Sequence, residues 1–306
     1  MSGEGKRVER SAPWPVGRIA PPPKLAGDVL SLAENSNLHH PLGPNDERLV
    51  DPRFVVYLGP GSFAGFTVVQ RLRLQPNDVE PTVAEVRAEL DRRGRMERTW
   101  EVGCSATPDD LTERLIDLGM EPDREPYAVG MILDRPPSPA PPGVEVRRVE
   151  SLEDYRDSVR IAMDAFGMDE DDVAEVLDRA ERDWAPLAGS TTVRQYLALV
   201  DGEPVATGRA TVTDVGVLLN GGSTIERARG RGAYRALVAA RWEDAVVAGK
   251  PVLVTQAGAM SRPILSRVGF REVCDIRILL DRSEAASRGD EAETDAPEGA
   301  RGPADG

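Results

Sequence analysis

Cysteine is scarce in this chain of 306 residues, where only Cys104 and Cys274 occur. Two thiols cannot form a disulfide framework or a four-cysteine zinc site, so we expect both to be reduced and partly buried. His39 and His40 are adjacent in a proline-rich segment with no other ligand type nearby, and no metal site is predicted there. These shortages favour a reducing, cytoplasmic location.

Long apolar runs are also missing. The longest runs fall far short of the ~20 residues that a membrane-spanning helix needs. The first residues do not show the basic-then-apolar pattern of a secretion signal. We therefore expect a soluble, unsecreted protein that has no membrane partner.

Lysine is nearly absent, since Lys6, Lys24 and Lys250 are the only lysines among 38 basic side chains. The 52 acidic side chains outnumber the basic ones and give a net charge of −14. This charge opposes binding to nucleic acid or to anionic lipid. We expect no nucleic-acid partner, and a neutral or cationic substrate fits the composition better than a polyanion.

The chain does contain enough apolar residues, 40% of the total, for about two domains of ~150 residues each. Five prolines between positions 136 and 142 form a stiff spacer that is typical of a domain boundary. The last 24 residues include no large apolar side chain and are expected to be disordered. The predicted organisation is a Pro-rich, extended N-terminal arm (1–45), a first domain (46–135), a linker (136–143), a second domain (144–282) and an acidic tail (283–306).

Apolar spacing predicts an alternation of strands and helices in the first domain. Its predicted elements are a strand over 53–58, a strand over 66–74, a helix from Thr82 as N-cap to Gly94, a strand through Trp100, a helix opened by Thr107 and Pro108, and a strand that ends at Leu133. The second domain begins with a strand at Val144, which acid-rich helices follow over 151–166 and 169–184. Strands are then predicted over 194–200, 204–213 and 215–219, a helix over 231–248, a strand over 251–255, a helix over 262–267 and a strand over 272–280. Asp201-Gly202 predicts a hairpin turn, and the whole order predicts a mixed α/β sheet.

The segment NGGSTIERARGRGAYR, from Asn220 to Arg235, joins a predicted strand to a long amphipathic helix. Glycines at such a junction let backbone N–H groups point at one place, and the helix N-terminus adds partial positive charge. The segment is therefore predicted to bind phosphate. A dinucleotide loop would need a third glycine where Arg235 stands, and a Walker loop would need Gly-Lys-Ser/Thr, so both patterns are disfavoured.

The same segment matches Q/R-x-x-G-x-G/A, the pyrophosphate loop of the GNAT superfamily of N-acetyltransferases, and here the chain resembles that family. Two registers are open. Arg227, Gly230 and Gly232 satisfy the written pattern, whereas RGRGAYRALV, from Arg229 to Val238, reads more like the family's loop running into its helix. We prefer the second register, and Gly230 and Gly232 belong to both.

The residues after the loop extend the resemblance. VLV at 252–254 is a predicted strand, and ILSRVGF at 264–270 is similar to the family's last helix and its Gly-Phe turn. The likeness covers about 144–282. It implies an α/β fold of the α+β type, with a mixed, mostly antiparallel sheet flanked by helices.

A weaker likeness to the same family covers 82–133 and implies a smaller, degenerate GNAT-like domain in front of the main one. The segment before its first helix, from Pro76 to Pro81, is acidic and bounded by prolines where the family has its glycine-arginine loop. The first domain is therefore expected to shape the acceptor cleft of the second rather than to bind a cofactor.

The resemblance implies acetyl-CoA as co-substrate and a primary amine of a small molecule or peptide as acceptor. In such a mechanism a neutral amine attacks the thioester directly, and a strand N–H stabilises the oxyanion. The loop backbone would bind the pyrophosphate, and the preceding strand would run beside the pantetheine amides. The cofactor-binding residues implied in this way are Ser223, Thr224, Ile225, Arg229, Gly230, Arg231, Gly232, Ala233, Tyr234 and Arg235.

The sequence lacks the proton donor that the family commonly uses. Many family members have a tyrosine four residues before the Gly of the Gly-Phe turn, but here that position is Leu265, which cannot transfer a proton. Asp214 is the nearest candidate for a base that acts through water, and a turn residue before Gly216 is the alternative. The acidic run over 169–172 either attracts a cationic amine or starts a solvated helix.

Leu265 supports a rival function, a non-catalytic acyl-CoA-binding or regulatory protein with the same fold. The sequence leaves open the acceptor, the acyl chain length and the oligomeric state, a homodimer included.

Overall fold

The computed structural model of the chain describes residues 25–43, 45–60, 64–168 and 170–283. Their contacts divide them into two compact units. Of the described residues, unit 1 contains those within Pro44–Pro126 and those from Arg277 onward. Unit 2 contains those up to Gly43 and those within Tyr127–Ile276.

Strands and helices alternate through both units. In chain order they are α1 (Gly27–Glu34), α2 (Ser36–His39), β1 (Glu47–Val50), β2 (Val55–Leu58), β3 (Thr67–Gln70), α3 (Val79–Arg92), β4 (Glu97–Gly103), α4 (Leu111–Asp117), β5 (Glu121–Leu133), β6 (Val144–Arg148), α5 (Leu152–Phe166), α6 (Glu170–Asp178), α7 (Ala180–Trp184), β7 (Val193–Val200), β8 (Glu203–Val212), β9 (Val217–Thr224), α8 (Ala233–Val247), β10 (Leu253–Ala257), α9 (Arg262–Val268) and β11 (Arg271–Arg282). Short 3₁₀ turns lie at Ala64–Phe66 and Glu226–Ala228.

The two units divide the chain differently from the domains predicted over 46–135 and 144–282. β5 begins in unit 1 and ends in unit 2, whereas β11 begins in unit 2 and ends in unit 1. The proline-rich segment over 136–143 lies within unit 2. An apolar strand pattern records burial but not which sheet the strand joins, so the sequence could not indicate this division.

Unit 1 is built on a sheet in the order β1-β2-β3-β4-β11. The first three strands are antiparallel neighbours. β3 and β4 are parallel neighbours, and the crossover helix α3 connects them along the chain. β2 and β4 confirm the strands predicted over 53–58 and through Trp100. β1 gave no signal in the sequence because its side chains are half-buried or exposed.

The helix predicted from Thr82 begins three residues earlier, at Val79. Thr82 is not the N-cap; it is buried inside the helix, where its hydroxyl accepts a hydrogen bond from Arg53 Nη1 at 3.3 Å. Pro81 suggested a later start, but a proline is tolerated in a first turn because the N–H groups there have no intrahelical acceptor.

Unit 2 is built on a sheet in the order β6-β7-β8-β9-β10-β5-β11. Neighbours from β6 to β9 are antiparallel, β9 pairs with β10 in parallel, and β10 pairs with β5 antiparallel. Asp201 and Gly202 join β7 to β8 with φ values of 56° and 83°, which confirms the predicted hairpin turn. β9 extends to Thr224 and so includes part of the segment predicted as a loop.

α5 and α8 cover opposite faces of this sheet. Gly208 of β8 faces α8, because a Cβ built on it would lie 2.9 Å from Arg241 Nη1. Its neighbour Thr207 points the other way, towards Gln195, whose amide donates to Ser158 Oγ of α5 at 2.7 Å. Successive side chains of a strand alternate between faces, and the two helices are therefore separated by the sheet.

The extended arm predicted for residues 1–45 contains two helices in its described part, α1 and α2. α1 packs on β10 of unit 2, where Gln256 Nε2 donates to the carbonyl oxygens of Ala33 and Glu34 at 3.3 and 3.2 Å. Leu32 and Ala33 are fully buried. The many prolines of the arm obscured this short apolar helix. The rest of the arm, and the predicted tail from 284 onward, lie outside the described residues.

Among the described residues, no helix combines the length and the apolar character that crossing a bilayer requires.

A buried carboxylate, Asp281 of β11, joins the last strand of unit 1 to α3 and β4. Asp281 is 1% exposed and accepts hydrogen bonds from Arg87 Nη2 at 2.8 Å and from Trp100 Nε1 at 3.3 Å. Arg98, also buried, donates to it at 3.4 Å and pairs on its other side with Asp91. The desolvation of this carboxylate is offset only while these donors remain in place.

A second carboxyl of unit 1, that of the half-buried Glu101, lies on the opposite face of β4. Val69 pairs with Trp100, so the next residues, Gln70 and Glu101, share the other face. Gln70 Nε2 donates to Glu101 Oε2 at 3.4 Å. Burial raises the pKa of Glu101 from 4.5 to about 7.

Replacing Asp281 with alanine should lower the free energy of unfolding by ~3–5 kcal/mol, since Arg98 would lose its buried partner. Urea denaturation followed by circular dichroism measures this change. The control is Asp110→Ala, which removes an exposed ion pair with Arg114 on α4 and should have little effect. Equal losses in the two variants would contradict the role assigned to Asp281.

Glu101 should make unit 1 less stable as the pH rises. Between its ordinary pKa of 4.5 and its folded value of about 7, the folded chain binds more protons than the unfolded chain. The free energy of unfolding should therefore fall through this window, by at most ~3 kcal/mol, and level off above it. Denaturation at several pH values should show this slope in the wild type and a weaker slope in Glu101→Gln. An identical slope in both proteins would assign the titration to other groups.

Candidate functional site

β9 is interrupted by a β-bulge. Gly221 and Gly222 stand opposite the single residue Gly208 of β8, so the register shifts there. Gly221 has a φ of 60°, in the left-handed region where glycine is favoured. Asn220, Gly221 and Gly222 are exposed although β9 is an interior strand of the sheet. The bulge is therefore accessible to solvent.

β9 also separates from its parallel neighbour β10. The two strands pair only at Val217 with Leu253 and at Leu218 with Val254, six residues before β9 ends. Just beyond, Thr255 Oγ1 donates to the carbonyl oxygen of Leu219 at 3.0 Å. The backbone on this edge of β9, from Asn220 to Thr224, can therefore pair with a ligand that runs beside it.

The predicted phosphate loop follows directly, through the 3₁₀ turn Glu226–Ala228. Gly230 and Gly232 have φ values of 80° and 87°, so both positions require a residue that tolerates the left-handed region. A Cβ on Gly230 would enter open space, whereas one on Gly232 would lie 2.5 Å from Pro141 Cγ. Gly232 is therefore required by packing as well as by backbone geometry.

The start of α8 has unused hydrogen-bond donors. Gly232 is its N-cap, no side chain caps it, and its first turn contains no acidic residue. By contrast, α5 begins with Ser151, whose Oγ accepts from the Asp154 N–H at 3.1 Å, and with two acidic residues in its first turn. A helix N-terminus without cap or carboxylate is suited to an external anion.

The arginines of the loop differ in their partners. Arg231 pairs with Asp201 at 2.6 Å and Arg227 with Glu203 at 3.8 Å, so carboxylates near the β7–β8 turn hold both. Arg229 Nε donates to the carbonyl oxygen of Thr224 at 3.4 Å, and no described carboxylate pairs with Arg229. Arg235 is exposed in the first turn of α8, and no carboxylate of the described side chains pairs with it. Two cationic side chains therefore remain for an anion at this helix start.

The side chains of several predicted cofactor residues point into the protein. Ala233 and Ile225 are buried in the core of unit 2. The ring of Tyr234 lies on the bulge, because a Cβ on Gly222 would be 2.8 Å from its Cε2 atom. These residues could contact a cofactor only through the backbone. Ser223 is 6% exposed, and within the described part of the chain its Oγ has no hydrogen-bond partner.

Arg241 of α8 packs against the bulge on the face of the sheet that α8 covers. It is 1% exposed, with Nε donating to the Leu237 carbonyl oxygen at 3.0 Å and Nη1 to that of Arg209 at 3.3 Å. Its guanidinium lies 5.8 Å from the centre of the Tyr234 ring. Desolvation lowers the pKa of Arg241, partly opposed by the phenols of Tyr234 and Tyr196. The sequence offered no signal for this role, because arginine is common throughout the chain.

Asp244, one turn further along α8, anchors the helix to β6 and β7. Its carboxylate accepts hydrogen bonds from Tyr196 and Arg148 and also faces Arg194. Burial tends to raise the pKa of Asp244, but these hydrogen bonds and cations outweigh it, so the pKa is lowered. The burial of Tyr196 and its hydrogen bond to Asp244 raise the pKa of Tyr196. The helix that begins at the loop is thereby held in a defined position.

The structure does not bring Asp214 together with the loop. Asp214 is exposed in the turn between β8 and β9, which Thr213 closes by accepting from the Gly216 N–H at 3.1 Å. The eight residues of β9 separate this turn from the loop, a span of ~25 Å at ~3.3 Å per residue. The backbone oxygen of Asp214 accepts from Lys250 Nζ. This is the turn residue that the sequence left as the alternative.

Leu265 is 2% exposed and belongs to the core of unit 2, so no proton donor stands at that position of α9. For the acidic run over 169–172, an acceptor site stays a prediction. Asp169 and the side chains of the three residues after it lie outside the described part of the chain.

Comparison with known proteins places this geometry among solved acetyltransferase folds. A GCN5-related N-acetyltransferase from Kribbella flavida is 19% identical, with a TM-score of 0.66 over 86% of this chain and 99% of that chain. A second one, from Sphaerobacter thermophilus, is 18% identical, with a TM-score of 0.52 over 76% and 82% of the two chains. A tandem GNAT protein from the clavulanic acid biosynthesis pathway is 14% identical, with a TM-score of 0.54 over 86% and 90%.

No family model matches the sequence, and no curated protein matches it significantly. The assignment therefore depends on three-dimensional similarity and on the local geometry of β9 and α8. Both agree with the resemblance that the sequence predicts for 144–282. This chain has the fold of the GCN5-related N-acetyltransferases, an α/β fold with a mixed, mostly antiparallel sheet flanked by helices.

Proposed function

We propose that unit 2 binds acetyl-CoA and transfers its acetyl group to a primary amine of a small molecule or peptide. The observation that carries this proposal is the bulged strand β9, whose unpaired edge leads directly into the uncapped N-terminus of α8. A ligand with an extended amide chain and a diphosphate at one end is complementary to both features.

The described residues fit such a ligand. The backbone N–H groups of Gly232, Ala233 and Tyr234 and the side chains of Arg229 and Arg235 would hold the diphosphate. The edge of β9 between Asn220 and Thr224 would pair with the pantetheine amides as a neighbouring strand does. Bound acetyl-CoA supplies an activated thioester, and the exposed bulge would hold it open to the acceptor.

Proton transfer in this site depends little on ionisable side chains. Leu265 occupies the position of the family's usual tyrosine, and Asp214 lies at the far end of β9. The chain's contribution is to position the thioester carbonyl beside backbone N–H groups of the bulge. The amine would then react in its neutral form, with water as the proton carrier.

The alternative is a non-catalytic acyl-CoA-binding or regulatory protein, which Leu265 favours. Calorimetry with acetyl-CoA and a thiol-release assay against a panel of amines distinguish the two functions. Tight binding without thiol release on any amine would support the alternative. Binding together with release would support the transferase.

Reversing the charge at Arg235 should weaken acetyl-CoA binding without harming the fold. Arg235→Glu removes a cation from the diphosphate site and adds an anion, so affinity in calorimetry should fall at least ~10-fold. A carboxylate in a first turn interacts favourably with the helix dipole, so the melting temperature should stay equal or rise.

The matched control is Arg267→Glu, which makes the same charge change at an exposed position of α9. It should leave the affinity nearly unchanged. Unchanged affinity in Arg235→Glu would remove the start of α8 from the proposed site. Gly232 is less suitable for this test, because a side chain there would also collide with Pro141.

The whole chain should bind one acetyl-CoA. The corresponding helix of unit 1, α3, has Glu80 in its first turn and Pro81 directly after it. The carboxylate opposes a diphosphate, and the proline lacks an N–H donor. Titration of the intact protein should give a stoichiometry near one, and Arg235→Glu should weaken that single site. A second equivalent that persists in Arg235→Glu would place a working site in unit 1.

A further inference from the structure

We propose that the acceptor carries a carboxylate close to its amine, as an α-amino acid does, and that Arg209 of β8 binds this carboxylate. This inference rests on the proposed function, because it names the substrate class of the same site. It is carried by polar side chains that surround the bulge on the face of the sheet covered by α5.

The strand register places these side chains together. Arg209 is the cross-strand partner of Asn220 on one side of the bulge, and Thr207 is the partner of Ser223 on the other. Cross-strand partners share a face of the sheet. Thr207 points to the α5 face, where its hydroxyl lies 3.4 Å from Gln195 Nε2. Arg209 reaches the same amide, with Nη2 at 3.3 Å from Gln195 Oε1.

Arg209 is held in place but not neutralised. Gln195 donates to Ser158 Oγ through Nε2, so its amide oxygen is turned towards the guanidinium. Arg209 is half-buried, and no carboxylate pairs with it among the side chains that the structure describes. Most arginines of unit 2 do have such a partner: Arg135, Arg147, Arg148, Arg160, Arg179, Arg182, Arg194, Arg227, Arg231, Arg262 and Arg271.

Ser223 provides an independent observation at the same place. It is 6% exposed, and its Oγ is buried without a hydrogen-bond partner among the described residues. A buried hydroxyl without a partner is unfavourable in the ligand-free protein. A carboxylate beside the bulge could accept from Ser223 Oγ with one oxygen and from the guanidinium of Arg209 with the other.

These groups indicate a small acceptor. A planar guanidinium with open N–H groups is suited to a carboxylate, and Arg209 stands directly beside the bulge where the thioester would lie. The carboxylate and the reacting amine must therefore be only a few bonds apart. An α-amino acid meets this condition, whereas a polyamine has no carboxylate.

The test compares acceptors that differ only in the carboxylate. Wild type, Arg209→Met, Arg209→Lys and the control Arg160→Met are assayed with the twenty standard amino acids, their carboxamides and their decarboxylated amines. Arg160 is exposed on α5, with a surface ion pair to Asp157. In the wild type, kcat/KM should favour the acid over its carboxamide and its amine.

In Arg209→Met this preference should fall ~10- to 150-fold, the range of a hydrogen bond to a charged group. Arg209→Lys should retain part of the preference, and Arg160→Met all of it. A wild type that prefers the decarboxylated amine, or an Arg209→Met variant that keeps the wild-type preference, would overturn the inference.

Calorimetry without acetyl-CoA separates this inference from the proposed function. The same amino acids and amines are titrated into wild type, Arg209→Met and Ser223→Ala. Amino-acid binding that both variants weaken supports the carboxylate site, even if no thiol is released and the transferase proposal fails. No difference between acids and amines, in turnover or in binding, would overturn the carboxylate site.

Discussion

The early end of pairing between β9 and β10 is the constraint on which the site depends. Two pairs join the strands, and β9 then continues to Thr224 with no described strand paired to that side. In a sheet interior an unpaired edge is unfavourable unless water or a ligand satisfies it. The bulge at Gly221 and Gly222 adds to this opening, because it leaves exposed residues on an interior strand. The proposed cofactor site is therefore an interruption in the pairing of the sheet, and packing in the rest of unit 2 stabilises it.

Side chains of α8 stabilise the bulged part of the sheet. Arg241 and Tyr234 fill the space left by Gly208 and Gly222, and Arg241 also donates to the backbone of β8 next to the bulge. Asp244 ties the same helix to β6 and β7. One helix thus provides the proposed anion-binding N-terminus and the packing that keeps the bulge in shape. A change inside α8 could alter the bulge without touching a ligand.

Charge is distributed unevenly in a chain with a net charge of −14. Around the loop, Arg227 and Arg231 are paired with carboxylates, whereas Arg229 and Arg235 are not paired with any described carboxylate. On the α5 face, Arg209 is oriented by a neutral amide. In a protein rich in acidic residues, cations grouped at one place favour the approach of an external anion there. Unit 1 shows the reverse arrangement, since the buried carboxylate of Asp281 pairs with the half-buried Arg87 and the buried Arg98.

The sequence by itself determined the order of most elements, the hairpin turn at Asp201-Gly202 and the glycines at positions 230 and 232. These features follow from local backbone preferences and apolar spacing, which act within a few residues. Only the tertiary structure decided that Gly208 faces the bulge, that Asp214 lies one strand length from the loop, and that β5 and β11 are each divided between the units. It also showed that Arg209 is oriented by an amide, which no count of arginines could reveal. Each of these depends on register and on contacts between residues distant in sequence, about which a local pattern holds no information.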